Sequence, residues 1–136
     1  MPARSTTPNS ERLRKRPPRR LVPAEVTAIA LALRQAGVDA RTGVQIGRNA
    51  SIDVAVEPGQ LAVFVDHCLL GGCPCRGSDR VPSATLRDRA TNYRRRRDQA
   101  VDLARSAGWS TYTVWQHEKV DEVVTSVMSL RRPGSA

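Results

Sequence analysis

Hydrophobic positions along this chain follow first a helical spacing and then a strand spacing. The helical stretch begins after Pro23 and Glu25, which suit the first turn of a helix, and it stops before Gly37, which suits a helix end. Its apolar positions, which predict one buried face, are Val26, Ile29, Ala30 and Leu33.

Across residues 42–66 the spacing changes to two, which predicts β-strands. The segment Glu57-Pro58-Gly59-Gln60 carries Pro then Gly at the centre of a tight turn. If its first and last residues pair, Asp53 lies opposite Phe64, and Asp66 lies diagonally from Asp53 on the same face, about 7–8 Å away at the backbone. The opposite face, which a helix should cover, collects Ile52, Val54, Val56, Leu61, Val63 and Val65.

The second half of the chain predicts two further helices and one strand. Residues 76–83 are a Gly/Ser/Pro loop, and helical composition runs from about Ala84 to Ala107. Residues 110–115 are rich in Thr, Tyr, Val and Trp and predict a strand, and residues 118–130 predict a closing helix. This order predicts an α/β fold in which helices flank a mixed sheet.

The charge of the chain indicates a polyanionic partner. The sequence has 136 residues, a formal net charge of +9 and a pI near 10.9. Nucleic acid is the usual partner of such a chain, because neutralising phosphates releases counterions; the alternative is a solubilising surface charge. We expect a disordered basic arm over residues 1–21, one domain over 22–130 and a flexible tail over 131–136. No apolar run is long enough to span a membrane, so we expect a cytoplasmic protein.

Three cysteines lie within eight positions, at Cys68, Cys73 and Cys75. Three thiols this close favour a metal over a disulfide framework. A zinc site needs four ligands, and His117 is a better fourth candidate than His67, which is too close to Cys68 to chelate comfortably. The alternative is three buried cysteines that act as small apolar residues.

Two carboxylates on one sheet face, Asp53 and Asp66, could converge on one divalent cation. Magnesium is held by hard oxygen ligands, and nuclease chemistry uses such an ion to activate water. Glu25, from the first helix, could add a third carboxylate. The alternatives are strand aspartates on a solvated face and a glutamate that only starts a helix.

A row of four arginines is the candidate DNA-binding feature: Arg94, Arg95, Arg96 and Arg97. Arginine binds phosphate bidentately, and four like charges repel one another unless a partner neutralises them. Leu69 and Leu70 lie beside the expected metals, and apolar side chains can wedge between base pairs. The alternatives are a solvated helix face and two core leucines.

Taken together, these residues resemble the very-short-patch repair (Vsr-type) DNA mismatch endonucleases. The match covers roughly residues 22–120 in consistent order. The segments that carry it are Pro23-Ala24-Glu25, Ile52-Asp53-Val54-Ala55-Val56, Leu61-Ala62-Val63-Phe64-Val65-Asp66, Cys68-x4-Cys73-Pro74, Arg97-Asp98, Gly108-Trp109 and Val114-Trp115-Gln116-His117-Glu118.

The resemblance implies a restriction-endonuclease-like α/β fold with a structural zinc and a magnesium-dependent cut beside a T:G mismatch in double-stranded DNA. It implies that Asp53 binds the catalytic metal, that Asp66 holds the second active-site position and that Glu25 supports them. The zinc ligands it implies are Cys68, Cys73 and His117, with Cys75 where the family often has a nearby histidine.

The chain differs from the family in the segment between Cys68 and Cys73, where the family has its base-wedging aromatic residues and its catalytic histidine. Leu69-Leu70-Gly71 replaces the family's Phe-Trp-His, so the aromatic wedge and the catalytic histidine are absent. His67 replaces a glycine and could supply an imidazole from a shifted position. Despite these departures, the resemblance leads us to expect a DNA endonuclease that acts in mismatch repair. We also expect it to be a monomer, to associate with the bacterial nucleoid and to be able to bind other mismatch-repair proteins. The alternatives are an inactive zinc-stapled DNA-binding descendant and an unrelated basic zinc module that binds RNA or protein.

Overall fold

A computed structural model describes residues 23–74 and 83–131. Several segments lie outside these residues: the expected basic arm, Cys75, most of the loop at 76–83 and all of the tail except Arg131. The elements in chain order are α1 (Pro23–Gln35), β1 (Asp39–Gly47), β2 (Ala50–Glu57), β3 (Leu61–Asp66), α2 (Cys68–Gly71), α3 (Ala84–Ser106), β4 (Ser110–Trp115) and α4 (Val120–Leu130).

The four strands form one mixed sheet in the order β1-β2-β3-β4. β1 pairs with β2 and β2 with β3 in antiparallel fashion, whereas β3 and β4 are parallel. A parallel pair needs a crossover connection, and α3 lies in the connection between β3 and β4. The expected mixed sheet flanked by helices is therefore confirmed.

The predicted register of the β2–β3 hairpin is also confirmed. Val54 pairs with Val63 and Val56 with Leu61. Continuing this pairing by one residue places Asp53 opposite Phe64. Because side chains alternate across a strand, Asp53 and Asp66 project from the same face of the sheet.

Each sheet face carries its own hydrophobic core. The first core lies under α1 and α4 and includes the four predicted α1 residues, with Val54, Val56, Leu61, Val63 and Val65 from the sheet. The second core lies under α3 and consists of Ile52, Ala55, Ala62, Phe64, Ala100 and Ala104. Helices therefore cover both faces, and the face that bears the aspartates is buried as well.

The prediction that Ile52 lies on the sheet face opposite the aspartates was wrong. Ile52 is fully buried, but it packs in the second core beside Val44 and Ile46. Strands twist along their length, and the pairing of β1 with β2 shifts between Gln45 and Gly47. Ile52 lies next to this irregular end of the β1–β2 pair, and its side chain faces the second core.

The predicted helix limits hold for α1 and α3, but α4 begins two residues later than expected. Glu118 is in a turn, where its Oε2 accepts a hydrogen bond from the Trp115 backbone N–H at 2.8 Å. Lys119 then has an extended backbone, with φ −73° and ψ 138°. Within the two ranges that the structure describes, no helix is both long and apolar enough to cross a membrane.

Candidate active site and metal centre

Asp53 and Asp66 converge, as the register predicts, and they meet on the guanidinium of Arg97. Arg97 Nε lies 2.6 Å from Asp66 Oδ1, and Arg97 Nη2 lies 3.0 Å from Asp53 Oδ2. Nη2 also donates to the backbone carbonyl of Val65 at 3.0 Å. The three side chains are only 17%, 10% and 13% exposed for Arg97, Asp53 and Asp66. One buried cation thus joins both carboxylates.

Each carboxylate also accepts a hydrogen bond from a second donor. The Val65 backbone N–H donates to Asp53 Oδ2 at 2.9 Å, and the Tyr93 hydroxyl donates to Asp66 Oδ1 at 3.1 Å. The Tyr93 oxygen in turn accepts from the backbone N–H of His67 at 2.8 Å. These bonds hold the carboxylates in fixed positions.

The electrostatics of the cluster keep Arg97 charged. Burial alone would lower the pKa of Arg97, but the carboxylates of Asp53 and Asp66 outweigh it and raise the pKa above its usual value. The guanidinium carbon lies 4.9 Å from the Phe64 ring centroid and 5.8 Å from that of Tyr93, within cation–π range. Burial also raises the pKa of Tyr93, so its hydroxyl keeps its proton and remains a donor.

This arrangement does not fit a divalent cation between the two aspartates. Magnesium demands a near-octahedral shell of oxygen ligands. Here Asp66 Oδ1 and Asp53 Oδ2 each accept two hydrogen bonds, and the space between them holds a guanidinium. A magnesium-binding role of the two aspartates would need Arg97 to move from this position, and it stays a prediction.

Cys68, Cys73 and His117 form a second cluster, which could hold a metal. Their candidate ligand atoms all lie within 4.8 Å of one another. His117 Nδ1 is 3.2 Å from Cys68 Sγ and 3.6 Å from Cys73 Sγ. In tetrahedral zinc sites Zn–S and Zn–N bonds of about 2.3 and 2.0 Å leave ligand atoms about 3.5–3.8 Å apart, so these residues fit such an ion.

Local backbone structure brings these ligands together. Gly72 adopts the left-handed conformation at φ 81° and ends α2, and the Cys73 N–H then bonds to the Cys68 carbonyl at 2.9 Å. Gln116 ties the end of β4 to α2, since its Oε1 accepts from the Cys68 N–H at 2.7 Å. His117 follows directly. Both cysteines are buried, and Cys75 lies outside the described residues.

His67 serves as the N-cap of α2. Its Nδ1 accepts a hydrogen bond from the Leu70 backbone N–H at 3.2 Å, so a neutral ring carries its proton on Nε2. A shifted catalytic imidazole at His67 stays a prediction, and its Nδ1 already has this structural partner.

Gly71, at the position where the sequence resemblance would place a histidine, is in close contact with Trp115. A Cβ atom at this position would lie 2.8 Å from Trp115 Cζ3 and 3.5 Å from Asp66 Cβ. Contacts under about 3.0 Å force a shift of one partner. A larger residue at this position would therefore require the Trp115 ring or the α2 backbone to shift, a constraint that the sequence alone does not reveal.

The structure separates the two leucines of the predicted wedge. Leu70 is buried, with 8% of its surface exposed, whereas Leu69 is half-buried. Arg94 Nε donates to the Leu70 carbonyl at 3.2 Å, which fastens α2 to α3. Of the two, Leu69 is the better placed to contact a ligand.

The four arginines also divide between two environments. Arg94, Arg95 and Arg96 are exposed on α3, whereas Arg97 turns inward to the aspartates. Glu25 lies elsewhere: it is half-buried at the start of α1, whose apolar side packs on the opposite face of the sheet. Its supporting role stays a prediction.

No protein-family model matches the chain. One similar protein is the type II nicking enzyme V.NaeI of Lentzea aerocolonigenes, which is 32% identical over 79 residues. The match covers 56% of this chain and 46% of that enzyme, so the chain spans about half the length of the relative it matches.

Proposed function

We propose that this chain is a DNA endonuclease of the nicking type, with Asp53 and Asp66 as its active-site carboxylates. The observation that carries the proposal is that both carboxylates reach one cationic group at 3.0 and 2.6 Å, beneath a helix rich in arginine. Paired carboxylates are common at sites that cleave phosphodiesters, where they bind divalent ions; here the pair is assembled in the same way, with the Arg97 guanidinium between its members. The similarity to a nicking enzyme supports the same conclusion.

Double-stranded DNA is the proposed substrate. Arg94, Arg95 and Arg96 are exposed on the helix that also carries Arg97, so a phosphate backbone could lie along α3. Arginine forms strong charge-assisted hydrogen bonds to phosphate. Hydrolysis at paired carboxylates commonly uses a divalent cation, which activates water. Cleavage of that kind requires Arg97 to release at least one carboxylate.

A structural zinc is part of the proposal, held by Cys68, Cys73 and His117. The two thiols and the imidazole are the ligand types that tetrahedral zinc prefers. Cys75 is the proposed fourth ligand. The ion would hold α2 against the end of β4, and it would thereby fix the position of Leu69 in α2.

Mismatch recognition and a restriction-endonuclease-like ancestry are the finer parts of the proposal. They are supported by the order of the Vsr-type segments along the chain. Leu69 would then probe the stacked bases in place of the family's aromatic side chains. A T:G mismatch in very-short-patch repair is the expected lesion.

A DNA-binding protein that does not cut is the second candidate. Arg97 favours it, because the guanidinium neutralises one of the two carboxylates and stands where a catalytic ion would be needed. The exposed arginines of α3 would serve this function equally well.

To test this proposal, purified, zinc-loaded protein is incubated with Mg²⁺ and one of three DNA substrates. The substrates are a supercoiled plasmid, a matched duplex and a duplex with a T:G mismatch. Asp53→Asn removes an active-site carboxylate, and Asp98→Asn is the matched control, because Asp98 is an exposed aspartate of α3. We expect nicking by wild type and Asp98→Asn and none by Asp53→Asn.

The other outcomes separate the candidates. DNA binding without nicking would establish the second candidate, and nicking that survives both Asp53→Asn and Asp66→Asn would refute the assigned site. Equal cutting of matched and T:G duplexes would refute the proposed mismatch specificity but would still support endonuclease activity.

A further inference from the structure

We propose that Arg97 is an internal counter-cation that keeps divalent metal ions out of the Asp53–Asp66 pair in the DNA-free protein. The proposal rests on the proposed function only in taking the pair as active-site carboxylates. It concerns the regulation of that site, namely which cation occupies it at rest.

The guanidinium fork matches the two carboxylates closely. Nε faces Asp66 and Nη2 faces Asp53, and Nη2 also bonds to the Val65 carbonyl, so the same strand end supplies two of the three acceptors. A planar, always protonated fork of this kind forms directional bonds that a lysine ammonium does not reproduce. A metal ion would have to break the Asp66 bond, the Asp53 bond, or both.

Arg97 points toward the aspartates because it lies on the buried side of α3. It is not a surface arginine whose long side chain bends inward. Small residues at helical spacing line the inner side of α3, where Ala90, Ala100 and Ala104 are buried. Arg97 is seven residues after Ala90 and three before Ala100, so it lies on that same side. The rings of Phe64 and Tyr93 flank its guanidinium.

Charge then opposes entry of a metal. With Arg97 in place, two carboxylates and one guanidinium leave a single negative charge at the site. A divalent ion entering it would also lie within a few ångströms of a like charge, where repulsion is strong in a partly buried site. Removing the Arg97 charge restores two uncompensated carboxylates, which are the ligands that such an ion seeks.

Calorimetric titration of the zinc-loaded full chain with Mg²⁺ tests the proposal directly. The variants are Arg97→Gln, which keeps much of the side-chain volume, and Arg89→Gln, an equal charge change at an exposed site on the same helix. We expect Arg97→Gln to bind Mg²⁺ about tenfold or more tightly than wild type. Arg89→Gln should match wild type, and Asp53→Asn added to Arg97→Gln should abolish the gain.

Saturable Mg²⁺ binding by wild type that Asp53→Asn removes would overturn the proposal, even if Arg97→Gln failed to fold. Equal affinity in wild type and a folded Arg97→Gln would overturn it too. Weak wild-type binding with a clear gain in Arg97→Gln supports it. None of these results depends on nicking, so a failed nuclease assay and a failed metal-exclusion proposal remain distinguishable.

Discussion

Arg97 Nε lies 2.6 Å from Oδ1 of Asp66, at the last residue of β3. Two residues further along the chain, Cys68 begins α2 and is the first of the candidate metal ligands. The end of this one strand therefore positions both the carboxylate cluster and the thiol cluster. A substitution that shifts the backbone at one cluster should therefore also shift the side chains of the other, because only one residue separates Asp66 from Cys68.

Loss of Arg97 alone should strongly destabilise the fold. Arg97→Met leaves two buried carboxylates without their cation, and breaking a buried ion pair in this way costs about 3–5 kcal/mol. Adding Asp53→Asn and Asp66→Asn removes the uncompensated charges, so the triple variant should recover much of the loss. Urea unfolding followed by circular dichroism measures the free energy of unfolding of each protein.

The matched control for that series is Arg89→Met, which removes an exposed arginine of α3. Surface changes of this kind usually stay within about 0.5 kcal/mol. An Arg97→Met variant no less stable than Arg89→Met would show that the buried ion pairs do not contribute to stability.

The hairpin could be predicted because local rules determine it. A two-residue turn and strict alternation set the register, and the register places Asp53 and Asp66 on one face. The inward turn of Arg97 was not predicted, because four consecutive arginines indicate a solvent-exposed stretch. The signal was nonetheless present: Ala90, Ala100 and Ala104 mark the inner side of α3, and Arg97 has the same helical phase.

Other features of the site depend on contacts between distant segments. The grouping of Cys68, Cys73 and His117 could be predicted from their residue types, which are those that commonly bind metals. The contact between Gly71 and the Trp115 ring joins segments 44 residues apart, and so the sequence pattern does not reveal it. The same holds for the hydrogen bond from the Cys68 N–H to Gln116.

Purified protein should contain about one zinc per chain, bound through His117. His117→Ala should lose the metal, because it removes the only imidazole in the described cluster. His67→Ala is the matched control and should retain zinc, since the His67 ring caps α2 through the Leu70 N–H. Elemental analysis by mass spectrometry gives the metal content, and zinc retained by His117→Ala would rule out the assigned ligand set.

Restoring a side chain at Gly71 should destabilise the protein through Trp115. The Cβ of Gly71→Ala would lie 2.8 Å from Trp115 Cζ3. Overpacking of this kind costs about 1–3 kcal/mol, against a gain in helix propensity of up to about 1 kcal/mol. Gly71→His, which introduces the residue that Vsr-type endonucleases have in the resembling segment, should clash in the same way and should not increase nicking.

A double-mutant cycle with Trp115→Phe isolates this contact. The smaller ring leaves room for a methyl group, so Gly71→Ala should cost less in the Trp115→Phe background than in wild type. Urea unfolding of the four proteins gives the coupling energy. Equal costs in the two backgrounds would show that the close approach of Gly71 to Trp115 does not constrain this position.

The exposed arginines of α3 should contribute to DNA affinity mainly through phosphates. Each phosphate contact adds about 0.9 to the slope of log affinity against log salt concentration. Arg95→Gln and Arg96→Gln should each weaken binding to any duplex sequence and reduce that slope by about 1. Fluorescence anisotropy with a labelled duplex over a range of salt concentrations measures both effects.

Arg41→Gln is the control for the arginine variants, since Arg41 is an exposed arginine on the edge strand β1 and pairs with Glu57 at 3.1 Å. It changes the net charge by the same amount at a different place, and exposed ion pairs of this kind contribute little to stability. Its salt slope should equal that of wild type. If all three variants lowered the slope equally, the duplex would be responding to overall charge, and α3 would not be the DNA-binding surface.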